Sequence, residues 1–137
     1  MEKAREELKK IKSKATKQRM ALLTLLIESH KPLTIEEIFK NLDLKMDLST
    51  IYRILDMFVK SNIVYQTDFQ DNKSYFEYQS THHHHIVCKS CGLIEDTKVC
   101  ASSLLTKVSS QSKLFSSVNN HTLEFFGLCK KCALKTN

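Results

Sequence analysis

Apolar positions recur at helical spacing through the first sixty residues and then change to alternation, a switch that predicts helices followed by strands. Leu8 and Ile11 lie at helical spacing among charges in residues 2–12, a stripe so thin that this helix is marginal by itself. Thr16 is placed to cap a second helix running to about Ser29, whose Met20, Leu22, Leu23, Leu25, Leu26 and Ile27 leave it little polar face. His30, Lys31 and Pro32 end it, because the residue before a proline is pushed out of the helical region. Thr34 followed by Glu37 is a capping box and opens a third helix through about Leu42. Asp47, Leu48 and Ser49 start a fourth, in which Ile51, Ile54, Leu55, Phe58 and Val59 define one buried face. Ser49, Thr50, Tyr52, Arg53 and Asp56 are left pointing outward.

The strand period appears next. Ile63–Thr67 and Ser74–Tyr78 are two β-rich runs joined through Asp71-Asn72-Lys73, which reads as a hairpin. Helices followed by a two-stranded wing make a winged helix-turn-helix over residues 1–78, and residues 79–81 form a hinge. Beyond it come a strand through Ile86-Val87, a tight turn at Cys91-Gly92, a strand near Leu93 to Val99, a helix at about Ser102 to Leu114 and a last strand from His121 to Phe126. The fold class is therefore α+β, an N-terminal winged helix-turn-helix domain followed by a small α/β domain over residues 82–137. So small a unit buries little. Bound metal and dimerisation through sheet edges are expected to supply the missing stability.

With 42% hydrophobic residues among 137, two glycines and one proline, the chain has material for real cores and no long disordered tract. No apolar run approaches membrane-spanning length, so no membrane partner is expected. The net charge of +6 is moderate, but residues 1–19 hold eight Lys or Arg against three Glu. Such a cluster suits a polyanion, or else forms a solvated helix face. Arg53 and Tyr52 on the outward first turns of the fourth helix are what a recognition helix presents to a major groove. A winged helix is also a protein–protein module; the basic N-terminus favours DNA.

Between His82 and Cys91 stand six potential metal ligands within ten residues. Cys88 and Cys91 form one Cys-x-x-Cys and Cys129 and Cys132 a second, a pattern that supplies four soft ligands to one tetrahedral, structural zinc. Two disulfides would need an oxidising compartment, and no apolar leader opens the chain, so reduced thiols and a cytoplasmic location are expected. A redox pair of the thioredoxin type would follow a strand and open a helix, and two copies fit zinc better. Cys100 is left over and reads as a free buried thiol. In the histidine run, strand alternation sends His83 and His85 one way and His82 and His84 the other, so one run can serve two sites; the alternative is a solvated strand edge.

Four stretches carry a family resemblance: Lys14-Ala15-Thr16-Lys17-Gln18-Arg19, Ser49-Thr50-Ile51-Tyr52-Arg53-Ile54-Leu55, His82 to Gly92, and His121 to Cys129. Together they resemble the ferric uptake regulator (Fur) superfamily of metal-dependent repressors, over nearly the whole chain. The resemblance implies a regulatory site at His30, Glu77, His83, His85 and Asp96, and an auxiliary site at His82, His84 and His121. The auxiliary site departs from the family pattern, which has Asp where this chain has His84 and Glu where, by spacing, it has Ser103. Three nitrogens and two carboxylates suit Fe(II), Mn(II), Zn(II) or Ni(II). Iron is the expected signal, since Glu77 is similar to the iron branch. Peroxide sensing through bound iron, the branch that Asp96 resembles, and zinc or manganese response are the alternatives.

A cation held by His30 from the DNA-binding unit, Glu77 at the hinge, and His83, His85 and Asp96 from the dimerisation unit would join two hinged bodies and select one arrangement. In a homodimer this sets two recognition helices at the spacing of a palindromic operator in double-stranded DNA. Ser49, Thr50, Tyr52 and Arg53 are the expected groove residues, while Lys14, Lys17 and Arg19 neutralise phosphates. A non-haem metalloenzyme is the rival from another class, because two His and a carboxylate can also activate oxygen; it leaves the helix-turn-helix unexplained, and no enzyme is expected. A zinc-stabilised interaction module without a DNA role is the third reading.

Overall fold

The computed structural model describes residues 1–135, which separate into a unit of residues Met1–Ser80 and a second that begins at Thr81. In the first, α1 (Glu2–Lys10) buries Ala4 and Leu8, one turn apart on a single face. α2 spans Lys17–Ser29, with Thr16 Oγ1 accepting the Arg19 amide at its start. His30 closes it in the left-handed conformation, φ 49°, which allows the chain to turn before Pro32.

The capping box forms in full. Glu37 N donates to Thr34 Oγ1 at 3.2 Å and Thr34 N donates to Glu37 Oε2 at 2.8 Å, fixing the start of α3 (Ile35–Asn41). α4 (Leu48–Lys60) buries Ile51, Ile54, Leu55 and Phe58 and turns Tyr52 and Arg53 to solvent. β2 (Val64–Asp68) and β3 (Ser74–Tyr78) form the wing hairpin, and β1 (Leu33–Thr34) pairs with β3 to give the order β1-β3-β2. Leu22, Leu23, Leu26, Ile38, Leu55 and Phe58 are among the residues of the core that this sheet and the four helices enclose.

The second unit is a three-stranded sheet in the order β5-β4-β6. β4 (His84–Cys88) runs antiparallel to β5 (Ile94–Thr97) and parallel to β6 (Glu124–Gly127). Gly92, at φ 72°, makes the β4–β5 turn, and its amide donates to the Cys88 carbonyl. α5 (Ser102–Gln111) ends three residues earlier than its apolar pattern suggested, because Ser112 is extended. None of its residues is buried. β6 begins at Glu124 and not at His121, since ladder pairing starts with His85 opposite Glu124. Cys129 precedes a last short helix, α6 (Lys130–Ala133). No helix of the described residues is long and apolar enough to cross a membrane.

Candidate metal centres and nucleic-acid face

The four paired cysteines converge. Cys88 ends β4, Cys91 lies in the turn that follows, Cys129 flanks α6 and Cys132 lies within it, and their sulfurs are all within 4.8 Å of one another. Sulfurs bound at about 2.3 Å around a tetrahedral ion stand about 3.8 Å apart, and Cys91 Sγ is 3.8 Å from Cys129 Sγ. All five cysteines are thiols, not disulfides. The amides of Cys129 and then Cys91 point at Cys88 Sγ, the first at 3.3 Å, and hold its thiol down at about 6, so it favours the thiolate a metal needs. The donor set and the spacing both fit zinc, with no open position.

Strand alternation divides the histidine run between two faces. On one, His83 and His85 stack edge to face with centroids 4.9 Å apart, and antiparallel register sets Asp96 directly opposite His85. His83 Nδ1–H donates to the Thr81 carbonyl at 2.8 Å, which turns Nε2 outward as an acceptor. His85, buried, has Nε2 at 3.8 Å from Asp96 Oδ1. That distance is too long for a hydrogen bond but suits two bonds of about 2.0–2.2 Å to a shared ion. Glu77 is buried near the end of β3, and His30 is exposed at the end of α2.

On the other face His84 Nε2 lies 3.1 Å from His82 Nε2 and 3.1 Å from His121 Nε2. Cys100 was expected to be a free buried thiol; it is free, but the structure corrects its burial. It is only half-buried, and its Sγ approaches His82 Nε2 at 3.1 Å and His121 Nε2 at 3.4 Å. Its partners come from the segments just before β4 and before β6, so periodicity around residue 100 had no signal of them. An odd cysteine in a chain with a histidine cluster was the one available hint.

The candidate nucleic-acid face is built on Asp47. Its carboxylate accepts from the Ser49 hydroxyl, from Thr50 N at 2.8 Å and from Thr50 Oγ1 at 2.7 Å, and these bonds hold it below the ordinary carboxylate range. Ser49 and Thr50 thus spend their hydroxyls on capping α4, which sequence reasoning did not foresee, and leave Tyr52 and Arg53 as its outward groups. Lys14 and Lys17 are exposed. Arg19 is half-buried, and its Nη1 donates to Ser13 Oγ at 2.9 Å and to the Lys14 carbonyl, so it orders the basic segment.

The sequence model of the ferric uptake regulator family matches residues 10–126. The chain belongs to that family. As a Fur-family protein it is a metal-responsive transcription regulator of the repressor type. It is 31% identical over 140 aligned positions to the peroxide operon regulator of Bacillus subtilis, covering 100% of this chain and 96% of the relative. Among solved structures it is similar to the Vibrio cholerae ferric uptake regulator, with 28% identity, TM-score 0.72, and 90% and 98% of the two chains covered. The Helicobacter pylori Fur, described as having three functional metal-binding sites, has 27% identity and TM-score 0.70, covering 96% of this chain and 90% of its own. The fold class and the Fur-type function expected from the sequence both hold.

Proposed function

We propose that His83, His85 and Asp96, completed by His30 and Glu77, receive the signal of this Fur-type repressor, and that the signal is iron(II). The observation that carries the reading is the His85–Asp96 pair, a buried imidazole nitrogen and a carboxylate oxygen 3.8 Å apart beside the oriented His83. Two of the five groups belong to the first unit and three to the second, so binding them together favours one arrangement about residues 79–81. Imidazole and carboxylate donors suit iron and manganese as well as zinc, whereas the four-thiolate set suits a thiophilic ion such as zinc and disfavours manganese. The protein is read as a cytoplasmic homodimer, with a palindromic operator. Exposed Leu93, Val99, Leu104, Val108, Leu114 and Phe115 in the second unit support dimerisation there. Arg53 and Tyr52 read bases, and Lys14 and Lys17 neutralise phosphates.

The test starts from operator DNA selected out of random sequence by the metal-loaded protein. Wild type should bind it with an affinity that rises with free Fe(II), and His85→Ala should lose that rise while keeping its thiolate zinc. An undiminished metal response in His85→Ala would place the sensor elsewhere. Peroxide sensing is the second reading, supported by the likeness to a relative named as a peroxide operon regulator. It requires hydrogen peroxide to abolish operator binding by the iron-loaded protein and spare the manganese-loaded one. The reading as a regulator that is no enzyme would fall if an organic co-substrate turned over at the same His83–His85–Asp96 set.

A further inference from the structure

Three imidazole nitrogens and one sulfur crowd a single point on the second face of β4. A neutral imidazole Nε2 either donates one hydrogen or offers one lone pair. His84 Nε2 meets two other nitrogens at 3.1 Å, so hydrogen bonding satisfies one approach and leaves the other unfavourable. A cation at the centre satisfies all of them together. Around a tetrahedral zinc, nitrogens bound at about 2.0–2.1 Å stand about 3.3 Å apart, and nitrogen and sulfur about 3.6 Å apart. The observed separations, 3.1 Å between nitrogens and 3.1 and 3.4 Å from sulfur to nitrogen, lie within about 0.5 Å of those edges, so small side-chain rotations open the cluster to a tetrahedral ion.

We propose that Cys100 is the fourth ligand of this cluster, so that His82, His84, His121 and Cys100 form a closed three-imidazole, one-thiolate site that takes zinc in preference to iron(II) or manganese(II). The thiolate is the new element. A carboxylate in that place would leave a hard, exchangeable site, whereas sulfur with three imidazoles selects a thiophilic ion. Four protein ligands leave no open position, the mark of a resident ion. The placement gives this ion mechanical work: Cys100 lies between β5 and α5, and His121 lies three residues ahead of β6. Both connections that carry α5 are thereby fastened to β4. α5 buries none of its residues fully, with Leu105 and Ser109 half-buried, so packing within the chain gives it little hold. The proposal stands apart from the identity of the sensed metal and from DNA binding.

Zinc analysis after exhaustive dialysis, cobalt(II) substitution and cysteine alkylation test it on the full chain. Wild type should hold two tight zinc equivalents. The second cobalt equivalent should show a tetrahedral spectrum with sulfur-to-cobalt charge transfer. Cys100→Ser should keep the four-thiolate equivalent and bind the second at least about a hundredfold more weakly, since even losing a partner behind a metal ligand costs 10–100-fold. Cys100→Asp, which keeps the charge but presents oxygen, should move the preference of the second site towards manganese. In zinc-loaded wild type Cys100 should resist iodoacetamide, a readout that does not depend on any variant folding. A six-coordinate second cobalt without the sulfur band, two equally tight zincs in Cys100→Ser, or rapid alkylation of Cys100 in the zinc-loaded protein would each overturn the proposal.

Discussion

Replacing Cys91 separates metal from packing, because Cys91 is exposed and its side chain contributes little to any core. Among the described residues, the connected hydrophobic core lies wholly in the first unit, from Ala4 to Tyr78. Among the described residues of the second, the buried side chains of this kind are Val87, Cys88 and Cys132, and two of these three belong to the four-cysteine cluster. Burying one valine contributes about 1.5–3 kcal/mol, while ordering each residue costs about 1–2 kcal/mol in backbone entropy. Apolar burial inside one copy therefore falls far short of holding this unit. A structural zinc, at about 10–16 kcal/mol in small zinc-folded peptides, is a term of the necessary size. Cys91→Ser should lose one zinc equivalent, and amide exchange in residues 84–97 and 124–133 should become fast. Residues 17–29 and 48–60, packed on their own core, should keep their protection. Hydrogen exchange read by mass spectrometry resolves the two units in one experiment. Full zinc content with unchanged protection in β4, or equal loss of protection in both units, would refute the reasoning.

Arg53→Ala should flatten the difference between operator and scrambled DNA by about 1–3 kcal/mol, the discrimination of a good bidentate base contact, whereas Lys17→Ala should weaken both DNAs alike; competition binding decides it. Thr34→Ala removes the capping box of α3 and should cost the first unit about 0.5–2 kcal/mol in chemical denaturation, with zinc content unchanged. Asp47→Ala should speed amide exchange at residues 48–50 and lower operator affinity, since that one carboxylate gathers the Ser49 and Thr50 hydroxyls and the Thr50 amide. His30→Ala should leave metal bound but uncoupled from DNA, so operator titrations over Fe(II) and Mn(II) should show a much reduced metal-induced gain, equal by linkage to the reduced effect of DNA on metal affinity.

Where the determinant is local, the sequence is sufficient. Thr16 and Thr34 each cap the helix they were expected to cap, and Asp47 caps α4 at the start expected for it, because a cap needs only a side chain and an amide three residues away. The buried face of α4 follows from spacing for the same reason. The two-residue β1 was not legible: Leu33 and Thr34 form a strand only because Phe76 and Tyr75 lie opposite them. The beginning of β6 and the company of Cys100 failed likewise, since the first is set by β4 and the second by His82 and His121, all more than ten residues away. The alternation that sorts four histidines onto two faces was legible, because it needs only a strand.

That alternation ties the sites to one another through register. A slip of one residue along β4 would exchange the two faces, bringing His84 to the place of His85 opposite Asp96 and dissolving both clusters. Two ladders oppose such a slip, His85 opposite Asp96 on one side and opposite Glu124 on the other. Each ladder is short, four residue pairs, and neither neighbouring strand contributes a fully buried apolar side chain to resist sliding. Cys88 ends the strand, in register with Gly127, and Cys91 and Cys129 extend the same cluster from the ends of both ladders. Thiolate ligation of zinc at that end would therefore fix the phase in which His83 and His85 meet Asp96 and in which His82 and His84 meet His121 and Cys100. If the His83–His85–Asp96 face senses metal as proposed, strand phase chooses the sensing face, and one metal that stays bound is needed to define where the other binds. That accounts for a closed four-sulfur set sharing a five-residue strand with an imidazole–carboxylate set of different chemistry.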